Sequence, residues 1–259
     1  CDLVVASPGV REDALIRNEL HRRGIPVVSE LELAYQLCPY GLIAVTGTIG
    51  KRTTVELIRR AFESAGRKLS IGGNKGRPLS ALLLDEGATD PIALAVSSFQ
   101  LESVVHFRPL IAVLLNIIEA HLDRHRSIAE YVRIKSRIFM NHRPDDVLIL
   151  PYDDPRLRSL ARKHHGRTLF VSRSQPVDRG AWLEHDAVLL NLEGEPERID
   201  SAAPYIAATG AFAEDFLCAI LAAWLCGIST ADLAQLICGE GGGPCTGTIM
   251  APAPSQRKG

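Results

Sequence analysis

The residues best placed for chemistry lie where an apolar run ends in a glycine turn. Leu42-Ile43-Ala44-Val45-Thr46 leads into Gly47-Thr48-Ile49-Gly50-Lys51-Arg52-Thr53-Thr54. A strand, a glycine turn and a helix start can close backbone N–H groups around phosphate oxygens, with the helix dipole and the Lys51 charge behind them. The general phosphate-loop pattern asks for Gly at position 45 and Ser or Thr at 52. Val45 and Arg52 stand there instead. A tight strand-to-helix turn carrying one surface lysine is therefore the competing interpretation. A second cluster, His121-Leu122-Asp123-Arg124-His125, has the residue types of a metal site and equally those of a solvated turn after the apolar run Leu110–Leu115. Lys135 lies four residues after Tyr131 and three before Ile138, which on a helix sets it beside an apolar face. There it is either an amine with a lowered pKa or a lysine that snorkels to the surface.

These groups must be held by the surrounding elements. Short β-rich runs alternate with amphipathic stretches. Leu3–Ala6 is followed by a helical pattern over Glu12–Arg23 and then by Ile25–Val28. Strand Leu42–Thr46 precedes a helix from about Arg52 to Ala65, and Ile92–Val96 and Leu110–Leu115 are further strands. A helix near Ala129–Asn141 precedes Val147–Leu150, and one over about Pro155–His165 precedes Thr168–Val171. This alternation predicts an α/β fold, a parallel sheet with helices on both faces. Residues 173–204, rich in turn residues around the run Val188–Leu192, predict a hairpin region at one edge. Residues 239–259 carry glycines, prolines and little periodicity, and predict an irregular tail.

Composition narrows the function classes. The 259 residues are 46% apolar and 23% charged, ordinary globular usage, which excludes disordered, collagen-like and coiled-coil chains. The net charge of −1 offers no basic field for nucleic acid or an anionic membrane, and neither is expected as a partner. The longest unbroken apolar run, Phe216–Cys226, is far short of the roughly 20 residues a membrane span needs and predicts a buried helix. Six cysteines are scattered without a Cys-x-x-Cys pair, which fits reduced cytosolic thiols better than a disulfide framework or a zinc site.

Several segments resemble one family when taken together. They are Asp2–Val10, Gly24–Ala34, Ile43–Thr54, Gly73–Leu79, Ser97–Glu102, Phe107–Pro109, Asn116–Arg124 and Tyr131–Phe139. In this order, over residues 2 to about 238, the chain resembles the Mur ligases, most of all those that add D-glutamate. The resemblance implies a cytoplasmic enzyme making an amide bond in peptidoglycan synthesis. ATP would phosphorylate the alanine carboxylate of UDP-N-acetylmuramoyl-L-alanine, and the D-glutamate amine would attack the acyl phosphate, with Mg2+ neutralising charge. It further implies a partial UDP-binding Rossmann-like domain over 1–40 and the family's central P-loop ATPase domain over 41–238. The chain is thus expected to be a fragment, with the start of the first domain preceding Cys1, a C-terminal domain missing, and a monomeric state.

The resemblance also implies roles. Lys51 matches the phosphate-binding lysine, with Gly47, Thr48 and Gly50 shaping the ATP cradle and Thr53 beside it. His121 matches a metal ligand, and Lys135 matches a lysine carbamylated to complete a second metal site; with Lys51 they form the implied catalytic set. Ser7, Gly9, Asn74, Ser97 and Gln100 match substrate contacts. His125 and Asp123 are expected to be structural.

The departures fall on the cation side. Arg52 stands where a Mg2+-ligating hydroxyl is usual, and a guanidinium cannot ligate a cation. Ala95 stands where a Mg2+-ligating glutamate is usual. Phe212, Ala213 and Phe216 replace polar nucleotide contacts. Three functions remain open at this level: a ligase of this type with impaired activity, a degenerate nucleotide-binding homologue, or a pseudogene-like product.

Overall fold

The computed structural model describes residues 1–11, 14–200, 202–209 and 211–238, so the tail expected over 239–259 lies outside the described residues. The chain opens with β1 (Val4–Ala6), α1 (Leu15–Arg22), β2 (Val27–Ser29), α2 (Glu30–Leu37), β3 (Leu42–Thr46) and α3 (Lys51–Ser64). It continues through β4 (Ser70–Gly73), α4 (Leu79–Leu83), β5 (Ile92–Ala95), α5 (Ser98–Leu101), β6 (Ile111–Leu114), α6 (Leu122–His125) and α7 (Ile128–Lys135). Then follow β7 (Val147–Pro151), α8 (Pro155–Leu160), β8 (Arg167–Ser172), β9 (Gly180–Glu184), β10 (Ala187–Asn191) and β11 (Glu197–Ile199). The helices α9 (Ala202–Thr209), α10 (Ala213–Leu225) and α11 (Thr230–Cys238) end the described chain.

Nine strands form one sheet in the order β11-β10-β9-β8-β7-β6-β3-β5-β4. Neighbours from β9 to β4 run parallel, and β10 and β11 close one edge antiparallel, as the turn-rich stretch predicts. β1 and β2 pair in a separate two-stranded parallel sheet.

All five residues of β3 are buried, because helices cover both faces. The period of two splits them: Leu42 and Ala44 enter the core beneath α2 and α4, while Ile43 and Val45 enter the core beneath α3 and α10. α3 buries Thr54, Val55, Leu57, Ile58, Ala61 and Phe62, a stripe at helical spacing. α10 is the buried helix foreseen from its apolar run, and its residues Phe216 to Ala223 are all inaccessible. Among the described residues no helix is long and apolar enough to cross a membrane.

A buried acid helps to tie the small sheet's helix to the large sheet. The Glu32 carboxylate, on α2, accepts the N–H groups of Val105 (2.9 Å), His106 (2.8 Å) and Phe107 (3.2 Å). Those bonds hold its pKa below the usual carboxylate value although burial pushes it the other way. From β3 the chain crosses to β4, then returns past β3 to reach β6. The loop after β3 therefore opens where the crossing directions part, the usual ligand crevice of an open parallel sheet.

Candidate functional site

The glycine turn folds as a cradle of the kind that can hold phosphate. Gly50 caps α3 with φ 87°, a left-handed backbone that glycine adopts without strain. The first-turn N–H groups of Lys51, Arg52 and Thr53 have no acceptor on the described chain and face the crevice as helix-terminal donors. Lys51 Nζ donates to Gly47 O at 2.7 Å and Thr48 O at 2.9 Å. Burial lowers its pKa first, and the Lys75 charge adds to the effect.

Lys135 is inaccessible, as its place beside the apolar face foreshadows. Its Nζ donates to the same Gly47 oxygen at 2.8 Å and to Thr46 Oγ1 at 3.4 Å, and lies 4.7 Å from the centre of the Tyr131 ring. Burial, and then the Lys51 charge, bring its pKa down to about 7. An amine in that range is largely neutral in mildly alkaline solution, the form that can react with CO2.

Two features of the cradle carry no local signal in the sequence. Asn116, just past β6, clamps the loop from across the crevice. Its Oδ1 accepts the N–H groups of Thr48 (3.0 Å) and Ile49 (3.1 Å), and its Nδ2 donates to Ile49 O at 3.2 Å. Thr48 Oγ1 completes the clamp, donating to Ile118 O at 3.1 Å and accepting Ile118 N–H at 3.0 Å. The second feature is Asp215 on α10. Its Oδ2 lies 2.0 Å from where a β-carbon on Gly50 would sit, so only glycine fits there. This carboxylate is 2% exposed, and Oδ2 has no hydrogen-bond donor. Burial, reinforced by Glu214 and opposed by Lys51, pushes its pKa up to about 7.

Around the cradle the other expected residues occupy distinct places. Ser97 and Gln100 form a capping box on α5: Ser97 Oγ accepts Gln100 N–H at 3.2 Å, and Gln100 Oε1 accepts Ser97 N–H at 3.0 Å. Asn74 follows β4, and its N–H donates to Ala95 O at 2.8 Å. In the loop after β1, Ser7 O accepts Val10 N–H at 3.0 Å, and the Pro8 and Gly9 carbonyls both accept from Arg124. His121 is exposed, in left-handed backbone at φ 56°, with its ring edge-on to Phe99 at 5.0 Å. No hydrogen bond joins it to Lys135 among the described residues. His125 is buried and structural in its contacts, with Nε2 at 3.0 Å from Ser98 Oγ and its ring 5.1 Å from that of Tyr131.

The residues do not fit a magnesium ion. Arg52 is exposed at the first expected ligand position, and Ala95 offers no carboxylate at the second. Among the described residues no three His, Cys, Asp or Glu side chains converge as metal ligands. Thr53, the nearest hydroxyl after Lys51, is half-buried one residue further along the helix.

A mostly parallel sheet with an interior strand that ends in a glycine turn, and a lysine opening the following helix, defines an open α/β protein with a ligand crevice at its switch point. More narrowly, the chain belongs to the Mur ligase family: the profile of the Mur ligase middle domain matches residues 45–202. A UDP-N-acetylmuramoylalanine–D-glutamate ligase from Pelotomaculum thermopropionicum is 41% identical over 234 residues, covering 90% of this chain and 51% of that one. Among solved structures, a UDP-N-acetylmuramoyl-L-alanyl-D-glutamate–2,6-diaminopimelate ligase superposes with a TM-score of 0.61 at 19% identity, covering 93% of this chain and 60% of that one. A MurF ligase from Thermotoga maritima in complex with ADP superposes with a TM-score of 0.51 at 16% identity, over 90% and 65% of the two chains. The chain spans about half the length of the curated relatives it matches.

Proposed function

We propose that this chain is the ATP-binding portion of a ligase of the D-glutamate-adding type, with a cradle that binds the nucleotide and a weakened cation site. The substrates of that reaction are ATP, UDP-N-acetylmuramoyl-L-alanine and D-glutamate. The γ-phosphoryl group passes to the alanine carboxylate, and the amine then displaces phosphate from the acyl phosphate. In this reading Lys51 and the α3 N-terminus hold the phosphates, and Lys135 stands behind the loop as the group to be carbamylated. Ser7, Gly9 and Asn74 face the precursor, and the division of the chain near residue 40 separates the UDP-binding part from the ATP-binding part. Ser97 and Gln100 support the crevice through their cap. The ADP bound in the MurF neighbour agrees with a nucleotide site on this fold.

The observation that carries the reading is the contrast at the cradle. Phosphate donors are present, while Arg52 and Ala95 occupy the positions of the hard ligands. Losing one electrostatic contact to the transition state typically costs about 10²–10³ in rate, so two should leave ligation close to background. The test is ATP titration with and without Mg2+, with phosphate release measured beside it in the presence of both other substrates. ATP binding that Mg2+ barely alters, and that Lys51→Ala removes, is expected. Phosphate release within tenfold of an ordinary member of the family would overturn the reading.

A further inference from the structure

The glycine loop has a second cation-bearing segment beside it. β3, β5 and β4 are neighbours in that order, and Val45 pairs with Ala95, which pairs in turn with Gly73. The ends of β3 and β4 therefore stand level, roughly 10 Å apart across β5. Two residues past Val45 the chain turns at Gly47, and two residues past Gly73 it reaches Lys75. Both loops leave the edge of the sheet that carries the crevice.

The Lys75 loop is held at both ends. Gly73 N–H donates to Arg77 O at 2.8 Å, and Asn74 N–H donates to Ala95 O at 2.8 Å, tying the loop to β5. A β-carbon on Gly73 would lie 2.1 Å from Ala95 O, so this approach needs glycine. Arg77 is committed: it pairs with Asp85 and reaches Ala81 O at 3.0 Å. Lys75 makes no hydrogen bond or ion pair among the described residues. It is exposed and needs no ligand to sit there, but its charge acts on the cradle. Burial lowers the Lys51 pKa first, the Lys75 charge lowers it further, and Asp215, buried behind Gly50, opposes them. Two like charges that share a crevice repel while it is empty and cooperate when an anion lies between them.

We propose that Lys75 is a further phosphate-binding residue of this cradle, an ammonium that supplies from the end of β4 part of the positive charge a hard cation would bring. The inference rests on the nucleotide reading above and names the group that lets the outer phosphates of ATP bind without metal. The position suits the role, because the Lys75 loop is bonded to Ala95, the residue that stands where the resemblance implies a cation-ligating glutamate. An ammonium is a compact charge with three donors and can follow phosphate oxygens as a flexible point contact.

The test is calorimetric titration of the chain with ATP in EDTA, for the wild type, Lys75→Met, Lys75→Arg and Lys51→Ala. Lys75→Met should weaken metal-free binding about tenfold at low salt and about threefold at about 1 M salt, where screening reaches about 3 Å. Lys75→Arg keeps the charge and should stay close to the wild type. A second measurement needs no ATP: in lysine-labelled NMR titrations, the Lys51 amine should titrate at higher pH in Lys75→Met than in the wild type. ATP binding that Lys51→Ala removes but Lys75→Met leaves within twofold of the wild type would overturn this inference alone. Equal losses in Lys75→Met and Lys75→Arg would also overturn it, because loop shape rather than charge would then be at work. An unmoved Lys51 titration would remove the proximity on which it stands. A wild type that binds no ATP would overturn the nucleotide reading and this inference with it.

Discussion

Replacing Asp215 by Asn takes a carboxylate off the face of the phosphate loop at almost constant shape. The side chain is 2% exposed, its Oδ2 has no donor, and burial has brought its pKa from 3.8 to about 7. A carboxyl raised this far favours the folded state while protonated. Its contribution is fully present below pH 3.8, fades between 3.8 and 7, and is gone once the group ionises in both states. Holding the ionised form in the folded chain at pH 8 therefore costs about 4 kcal/mol, an upper figure because local relaxation reduces it.

Urea unfolding of the wild type and Asp215→Asn at pH 4 and pH 8 measures this cost. The variant should gain little at pH 4 and about 2–4 kcal/mol at pH 8. It should also bind ATP several times more tightly at pH 8, where a negative charge has left the cradle. Equal stabilisation at both pH values would refute the burial argument, and so would a variant less stable than the wild type at pH 8.

Lys135 should show the opposite pH signature. Its folded pKa of about 7 lies below the ordinary 10.5, so its contribution is present above 10.5 and is lost as pH falls through 7. Lys135→Met should thus stabilise the chain most near pH 6 in thermal melts. Labelled bicarbonate should give a carbamate carbon resonance in the wild type near pH 8 and none in Lys135→Met. Gly50→Ala forces a left-handed alanine into Asp215, so it should lose at least ~1–2 kcal/mol in urea and bind no ATP in titration. Asn116→Ala removes the three bonds that fold Thr48 and Ile49, and should cost about 1–3 kcal/mol and weaken ATP binding with it.

The parts of this molecule legible in the sequence are those whose signal is local. β3 matches its apolar run residue for residue, and α3 starts one residue before its expected position. The buried α10 and the antiparallel edge follow from composition over short windows. β4 escaped because Ser-Ile-Gly-Gly holds one β-branched residue, and its place next to β5 is set by the sheet. The helix expected over Ala129–Asn141 leaves α geometry at Lys135 and tightens to a 3-10 turn over Ser136–Phe139, where Ile138 and Phe139 keep an apolar spacing. Asn116 and Asp215 act on the glycine loop from positions about 70 and 165 residues away, a pairing created by β6 lying beside β3 and α10 packing on α3.

The two halves of the cradle answer to different physics, which is why one can persist without the other. On the proposed reading anion binding comes mainly from backbone: the left-handed Gly50 and the free donors of α3, with the Lys51 amine beside them. The fold itself maintains that half, because β3 is covered on both faces and α3 is packed against the sheet, α10 and α11 whatever sits at position 52. Cation binding rests on single side chains, and on the proposed reading Arg52 and Ala95 withhold two of them. Arg52 is exposed, and Ala95 is a small buried residue at the end of β5 whose backbone lies against Gly73. In an Arg52→Thr/Ala95→Glu double variant whose circular dichroism matches the wild type, ATP binding should tighten at least tenfold on adding Mg2+. The single variants should give less, because a hard cation needs several oxygen ligands at once. An ATP affinity in the double variant that ignores Mg2+ would show that the missing ligands are not what separates this cradle from a metal-dependent one.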